Sequence, residues 1–258
     1  GAQSNAFTGQ EYTGYWAIAQ AGNLAQIIDI ISDIYLNPLF DSVEIEKEKG
    51  VIVQEINMFE DMPMRHIYDI FMEVLYGNQP AGWHITGPKE GVVKFTREDF
   101  VAYRNKHYNT SSTIVVVSGG FDETKILKTI EEKFKGMNQG EKEGKLPVKD
   151  SQEIPQLLVK WKDTDQTHFM IGVRSKDIFD KDAYVLDCLA GVLGGGMSSR
   201  LFQKIREDMG AAYYVRAGND AYTDHGALVV SVGSDNGKVF DVITAVLNEF
   251  KKISTERV

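Results

Sequence analysis

The sequence predicts an α+β protein of two homologous domains, each a mixed β-sheet covered by helices. Three observations carry this expectation. A strand–turn–strand–helix unit near the N-terminus returns near the C-terminus. A polar stretch without periodicity separates the two copies. Runs with apolar residues at every second position alternate with runs at the helical spacing of three and four, so strands and helices are mixed along the chain.

The first unit spans Ser4 to Phe40: a short strand (NAFT), a turn, an alternating strand (YWAIAQA), and a helix. That helix sets Leu24, Ile27, Ile28, Ile31, Ile34 and Tyr35 on one side and stops at Pro38, which cannot continue it. Helices follow over Ser42–Asp61 and near Met64–Tyr76, then a Gly/Pro loop (GNQPAGWHITGP), a helix over Thr96–Lys106, a β-rich run (STIVVVSGG) and a helix from Asp122 to Phe134. Residues 136–155 are rich in Gly, Lys, Glu and Asp and read as a linker. The expected division is a first domain over 1–136, a linker over 137–156 and a second domain over 157–258.

The second domain opens with strands LLVKWKD and HFMIGVR, a helix over Lys181–Leu193, a glycine turn (GGGMSSR) and a helix through Ile205. The repeated unit then spans Ala211 to Ile253: strand AYYVRAG, a turn at Asp224–Gly226, alternating strand ALVVSVGS, and a helix carrying Val239, Phe240, Ile243, Val246, Leu247 and Phe250. Two strands and a helix precede the unit in this copy but not in the first. The comparison leads to the expectation that the chain is an internal piece, lacking about sixty residues in front and about a hundred behind.

Composition bounds the function classes. The chain has 258 residues, 43% hydrophobic and 25% charged, the balance of an ordinary globular protein. A net charge of −9 argues against nucleic acid and suits neutral or basic ligands. No apolar run approaches membrane-spanning length and no signal-peptide pattern opens the chain, so no membrane partner is expected. The one cysteine, Cys188, shares a helical face with Val185, Leu189 and Val192, so a buried thiol is expected and a disulfide framework is excluded. The expected compartment is cytoplasmic, or the mitochondrial matrix if the source is eukaryotic.

The most informative local pattern lies in SVEIEKEKGVIVQEINMFED, residues 42–61. Ile45, Glu48, Ile52, Glu55 and Phe59 recur at alternating spacings of three and four, which places both glutamates on one helical face, about two turns apart. A buried carboxylate is costly unless a cation neutralises it, so a metal or basic partner is expected there. The plainer alternative centres the stripe on Val51, Ile52 and Ile56 and leaves both glutamates at its wet margin.

EIEKEKGVIVQEI, preceded by GAQSNAFTGQEYTGYW and followed by MFEDMP, resembles the inverted-motif zinc peptidases: pitrilysin, insulysin and the mitochondrial processing peptidases. The likeness is greatest to the short bacterial and processing-peptidase branch. It runs along the whole chain and ends on GGGMSSRLFQKIREDMGAAYYV, which resembles the second-domain signature. The resemblance implies a LuxS/processing-peptidase-like metallohydrolase fold with two domains in a clamshell. It also implies a zinc-dependent metalloendopeptidase, in which zinc lowers the pKa of a bound water and a glutamate takes its proton.

By the same resemblance Glu55 is the third zinc ligand and Glu48 the supporting glutamate that orients the site. The H-x-x-E-H helix that supplies two histidines and the base does not occur in residues 1–258, so this stretch alone is expected to be inactive. The five histidines (His66, His84, His107, His168 and His225) are scattered, and none is assigned to metal. His66 is expected to pair locally with Asp69, and His84 to be a loop residue.

Asn5, Ala6, Phe7 and Thr8 match the family's edge strand, where an extended peptide adds as an extra strand and its main chain carries the affinity. Arg206 and Tyr213 match the second domain's contribution: they would hold substrate carbonyls, with the tyrosine donating to the developing oxyanion. Gly194–Gly196 follows a helix and lacks G-x-x-x-x-G-K-[ST], so it reads as a flexible turn near the substrate entrance and not a phosphate loop. Asp69 matches an acidic position that holds a substrate arginine in the processing peptidases, but Arg65 one turn earlier opposes a basic side chain. A general oligopeptidase is therefore expected over a strict presequence enzyme. The expected partners are a peptide substrate and a homodimer mate or paired subunit. The rival reading is a non-catalytic peptide-binding or assembly subunit of the same family.

Overall fold

A computed structural model describes residues 1–150 and 152–256. Ser151, inside the expected linker, and the last two positions of the expected second domain lie outside the described residues. In chain order the main elements are β1 (Gln3–Thr8), β2 (Thr13–Ile18), α1 (Leu24–Leu36), α2 (Ser42–Glu60), α3 (Pro63–Tyr76), α4 (Lys89–Val92), α5 (Arg97–His107) and α6 (Glu123–Phe134). Then come β3 (Gln166–Ser175), α7 (Ala183–Gly194), a π-helical segment (Phe202–Asp208), β4 (Ala212–Ala221), β5 (Gly226–Asp235) and α8 (Val239–Thr255). The α+β class and both strand–strand–helix units are present. The chain forms two compact units, 1–56 with 85–145 and 57–84 with 146–258, so α3 groups with the C-terminal sheet and not with the segment that precedes it.

In the first unit β1 and β2 form an antiparallel hairpin, Gln3 opposite Ile18 and Thr8 opposite Thr13. Helix α1 lies against β2 and α6. Its Tyr35 joins several elements: the ring meets Tyr15 edge-on and Phe134 at a tilt, and the hydroxyl shares a 2.6 Å hydrogen bond with Thr113. Helix α5 starts on a full capping box, the Thr96 hydroxyl accepting from the Asp99 amide while the Asp99 carboxylate accepts from the Thr96 amide. Asn109 ends that region fully buried, accepting from the Ser112 amide and donating to the Lys106 carbonyl. Helix α2 begins on Asp41, whose carboxylate accepts from the Val43 and Glu44 amides. It buries only Ile56.

The second unit is built on an antiparallel sheet in the order β3-β5-β4. The sequence of β5 reads as an alternating strand, yet nearly every residue is buried because helices cover both faces. Val230 and Val232 join Leu193, Leu201, Ile205, Val242 and Val246 on one face. Ala227 and Val229 join Met72, Leu75, Tyr76 and Ala81 on the other. Helix α7 packs so closely on β4 that a Cβ at Gly194 would lie 2.2 Å from the Ala217 nitrogen.

On the α3 side a polar network is buried with the apolar contacts. The Tyr76 hydroxyl donates to the Gly226 carbonyl at 2.7 Å, and burial pushes its pKa up to about 12. Arg174 lies over the Tyr76 ring and donates to the Leu75 carbonyl. The Tyr68 and Tyr222 hydroxyls meet at 3.0 Å. Burial pushes the Asp220 carboxyl above its ordinary value, and a hydrogen bond from Tyr68 offsets that only in part. Its Oδ2 is buried without a hydrogen-bond partner.

Three expectations are corrected. STIVVVSGG and LLVKWKD are not strands: neither pairs in a ladder among the described residues, and Ile114, Val116, Leu157, Val159 and Trp161 are more than three-quarters exposed. Strand propensity reflects fit to a pleated, half-buried surface, and here no neighbouring strand supplies one. Cys188 is exposed, because the face of α7 turned inward carries Ala183, Ala190, Leu193 and Gly194.

Leu193→Ala should cost about 2–5 kcal/mol in urea unfolding, whereas Ile114→Ala should change stability by about 0.5 kcal/mol or less. Asp220 supplies a pH test. Its folded pKa is raised, so the folded state holds that proton more tightly, and its unfavourable contribution appears as pH rises through the raised value. Asp220→Asn should therefore gain on the wild type at pH 7, and the gain should shrink when unfolding is measured near pH 4.

Candidate functional site

Two constellations, one in each unit, hold the residues singled out by sequence. The first is on α2. Seven residue steps of helix separate Glu48 from Glu55, an axial rise of about 10.5 Å. The expected burial of both is not observed: Glu48 is exposed and Glu55 half-buried, while Ile52, Val53, Ile56 and Phe59 form the inward side. The plainer placement at the wet margin describes Glu48, and Glu55 lies one step further in.

Local charge pairing leaves these two carboxylates available. Lys47 is taken by Glu44 at 2.6 Å and Lys49 by Glu46 at 2.5 Å. No cation of the described residues pairs with Glu48 or Glu55. A catalytic zinc takes three protein ligands and a water. Among the described residues, neither glutamate belongs to a trio of His, Cys, Asp or Glu close enough to hold one ion. Glu55 can offer one carboxylate oxygen to such an ion, and the described residues do not complete the set.

In the same unit, Asn5, Ala6, Phe7 and Thr8 lie in β1, all exposed. The strand is bonded to β2 on one side only among the described residues, with Asn5 opposite Trp16 and Phe7 opposite Gly14. Its other edge presents backbone donors and acceptors outward, the arrangement that accepts an added strand.

The second constellation joins Arg206 and Tyr213. The ladder between β4 and β5 slips between Ala212 and Tyr214, so Tyr213 is the extra residue of a β-bulge. A bulge leaves its residue out of the ladder and re-aims its side chain. Tyr213 is accordingly 59% exposed although its strand packs on the core. Its freed carbonyl accepts from an Arg206 Nη, and the guanidinium also lies over the Phe202 ring, 5.6 Å from its centre.

Arg206 stands on the π-helical segment, where the Met209 amide donates to the Lys204 carbonyl and the Ala211 amide to the Ile205 carbonyl. An ordinary helix was expected there. The segment leaves the π path at Gly210, whose φ of 53° is the left-handed region that glycine enters freely. At its other end Arg200 donates from Nε to the Glu249 carboxylate at 2.9 Å, and Lys252 donates to the same group at 2.7 Å. Burial pushes the Glu249 carboxyl up, but those hydrogen bonds and charges outweigh it and hold its pKa below the ordinary value.

Sequence reading missed Arg200 and Glu249. The signal was present, for Glu249 follows Val242, Ala245 and Val246 along the buried stripe of α8. The histidines are placed differently from the local pairing expected. Asp69 faces His84 at 3.9 Å, while His66 meets Lys160 at 2.8 Å; burial, then the lysine charge, lowers the His66 pKa. Arg65 is held over the Phe59 ring.

Comparison with known proteins covers the chain from end to end. Residues 1–89 match the family model described as Insulinase (Peptidase family M16), and residues 94–258 match the Peptidase M16 inactive domain. An uncharacterized zinc protease of Rickettsia felis is 36% identical over 259 residues, covering 100% of this chain and 62% of the relative. One of Bacillus subtilis is 33% identical over 235 residues, covering 91% of this chain and 56% of the relative. The chain therefore spans about three-fifths of the length of these curated relatives.

Among solved structures, a protease from Helicobacter pylori superposes with a TM-score of 0.87 at 21% identity, over 100% of this chain and 64% of that one. A peptidase M16 inactive domain from Pseudomonas fluorescens gives 0.85 at 15% identity, over 99% and 63%. These two likenesses establish the fold. With one family model across α2 and a second across the Tyr213 bulge, the chain belongs to the M16 peptidase family.

Proposed function

We propose that the full-length protein is a zinc-dependent metalloendopeptidase acting on extended peptides or short unfolded polypeptides. The observation that carries this reading is the Tyr213 bulge. A strand irregularity there takes a phenol out of the ladder, and an arginine is bonded to the same residue's carbonyl. Relatives named as zinc proteases support it.

The roles follow from what each group can do. The outward edge of β1 at Asn5–Thr8 pairs with substrate main chain, which carries little side-chain information and so admits varied sequences. Arg206 spends one N–H on the Tyr213 carbonyl and keeps others for a substrate carbonyl or carboxylate. The Tyr213 hydroxyl donates to the oxygen that gains charge during cleavage. Glu55 supplies one carboxylate oxygen to zinc, and Glu48 steadies the surroundings of that ligand; the remaining ligands would come from sequence outside residues 1–258. Zinc bound there would supply a water of lowered pKa. A net charge of −9 favours neutral or basic peptides during encounter.

The test uses the full-length protein and a quenched-fluorescent unstructured peptide. Cleavage should stop with a chelator and return with zinc. Glu55→Gln should lose bound zinc, measured by elemental analysis, and lose cleavage with it, while Glu48→Gln should lower zinc affinity or rate by about 10–100-fold. A Glu55→Gln variant that keeps both zinc and activity would refute the ligand assignment. A full-length protein that binds the peptide but never cleaves it would identify a non-catalytic member of the family.

A further inference from the structure

We propose that the Arg200–Glu249 ion pair is a positioning device: it holds the π-helical register that brings Arg206 onto the Tyr213 carbonyl. The inference rests on the reading that Arg206 and Tyr213 handle substrate, although the positioning itself can be measured without any substrate.

The two ends of the segment are pinned independently. At the C-terminal end the Ala211 carbonyl accepts from the buried Ser234 hydroxyl at 2.9 Å, and Ala211 itself is buried beside β5. At the N-terminal end the Arg200 guanidinium reaches across to α8, where the Glu249 side chain is only 5% exposed. Leu201 and Ile205, the next inward residues, are fully buried. Between these pins the chain must absorb one residue more than an α-helix would use, and a π-turn does that. Moving one residue in α register turns a side chain by about 100°. Arg206 would then leave the bulge carbonyl.

An apolar pair would fill the same space at less electrostatic cost. The Glu249 side chain is 5% exposed and the Arg200 side chain 25%, so desolvation of the carboxylate offsets part of what the attraction returns, and stability alone is a weak reason for an ion pair in this position. What the pair adds is direction. Arg200, just ahead of the segment, meets Glu249 through a directed Nε–H hydrogen bond, whereas a leucine would pack there without fixing a direction. Lys252 supplies a second hydrogen bond to the Glu249 carboxylate, and Glu256 lies 3.8 Å from the Arg200 Nη2, so both partners are held from more than one side.

The experiment compares wild type, the double variant Arg200→Met/Glu249→Leu, and Arg200→Lys in the full-length protein. Three quantities are read: the thermal midpoint, amide hydrogen exchange over residues 202–213, and the affinity for a fluorescein-labelled unstructured peptide. The double variant should keep its thermal midpoint, yet exchange about tenfold faster over the segment and bind the peptide about tenfold more weakly. Arg200→Lys keeps the charge but not the guanidinium fork, and should fall between the two. It also keeps the proposal testable if the double variant does not fold.

Exchange over 202–213 unchanged from wild type in either folded variant would overturn the positioning role. If exchange rises as expected but wild type itself shows no peptide binding, the positioning role stands and the substrate-handling reading fails.

Discussion

The second unit depends on one constraint: β5 is covered on both faces. Val230 and Val232 pack toward α7, α8 and the π-helical segment, while Ala227 and Val229 pack toward α3. A one-residue slip would exchange Val230 and Val232 with residues sized for the other face, Ala227 among them, and misfit both packed layers, so the strand has little freedom to shift. Its neighbour β4 must then take up any mismatch, and it does so at Tyr213. The exposure of that tyrosine, the availability of its carbonyl and the approach of Arg206 all follow from a central strand that cannot move.

A single rule, that a carboxylate in an apolar helical stripe must find a cation, explains both what was legible in the sequence and what was not. Applied to α2 it drew attention to Glu48 and Glu55, but that helix buries only Ile56; Glu48 is exposed at the wet margin and Glu55 is half-buried. Applied to α8 it would have found Glu249, whose side chain is only 5% exposed, with Arg200 and Lys252 as its cations. The pattern rule detects a face. Which face a neighbour covers is a tertiary fact, and sequence spacing does not contain it.

The strand and helix order of both repeated units was legible because hairpins and amphipathic helices are local. The segments that failed, 112–120 and 157–163, have strong strand composition but depend on a distant neighbour for their hydrogen bonds. The β-bulge and the π-turn were also beyond reach, since each is a one-residue accommodation between elements already fixed elsewhere. Gly210 and Gly194 were visible as glycines, and their reasons, a left-handed φ and a close approach of α7 to Ala217, became apparent only with the fold. Of the site, the motif resemblance named Arg206 and Tyr213, which the structure joins through the Tyr213 carbonyl, and it did not point to Arg200 or Glu249.

Glu55 is proposed to contribute to a zinc centre in the full-length protein. The most direct test is a crystal of that protein with anomalous data collected on both sides of the zinc absorption edge. One strong zinc peak is expected about 2.0–2.2 Å from a Glu55 carboxylate oxygen, with nitrogen ligands completing the site. A zinc peak coordinated by other residues, or a zinc-supplemented crystal with density for Glu55 and no zinc beside it, would contradict the account.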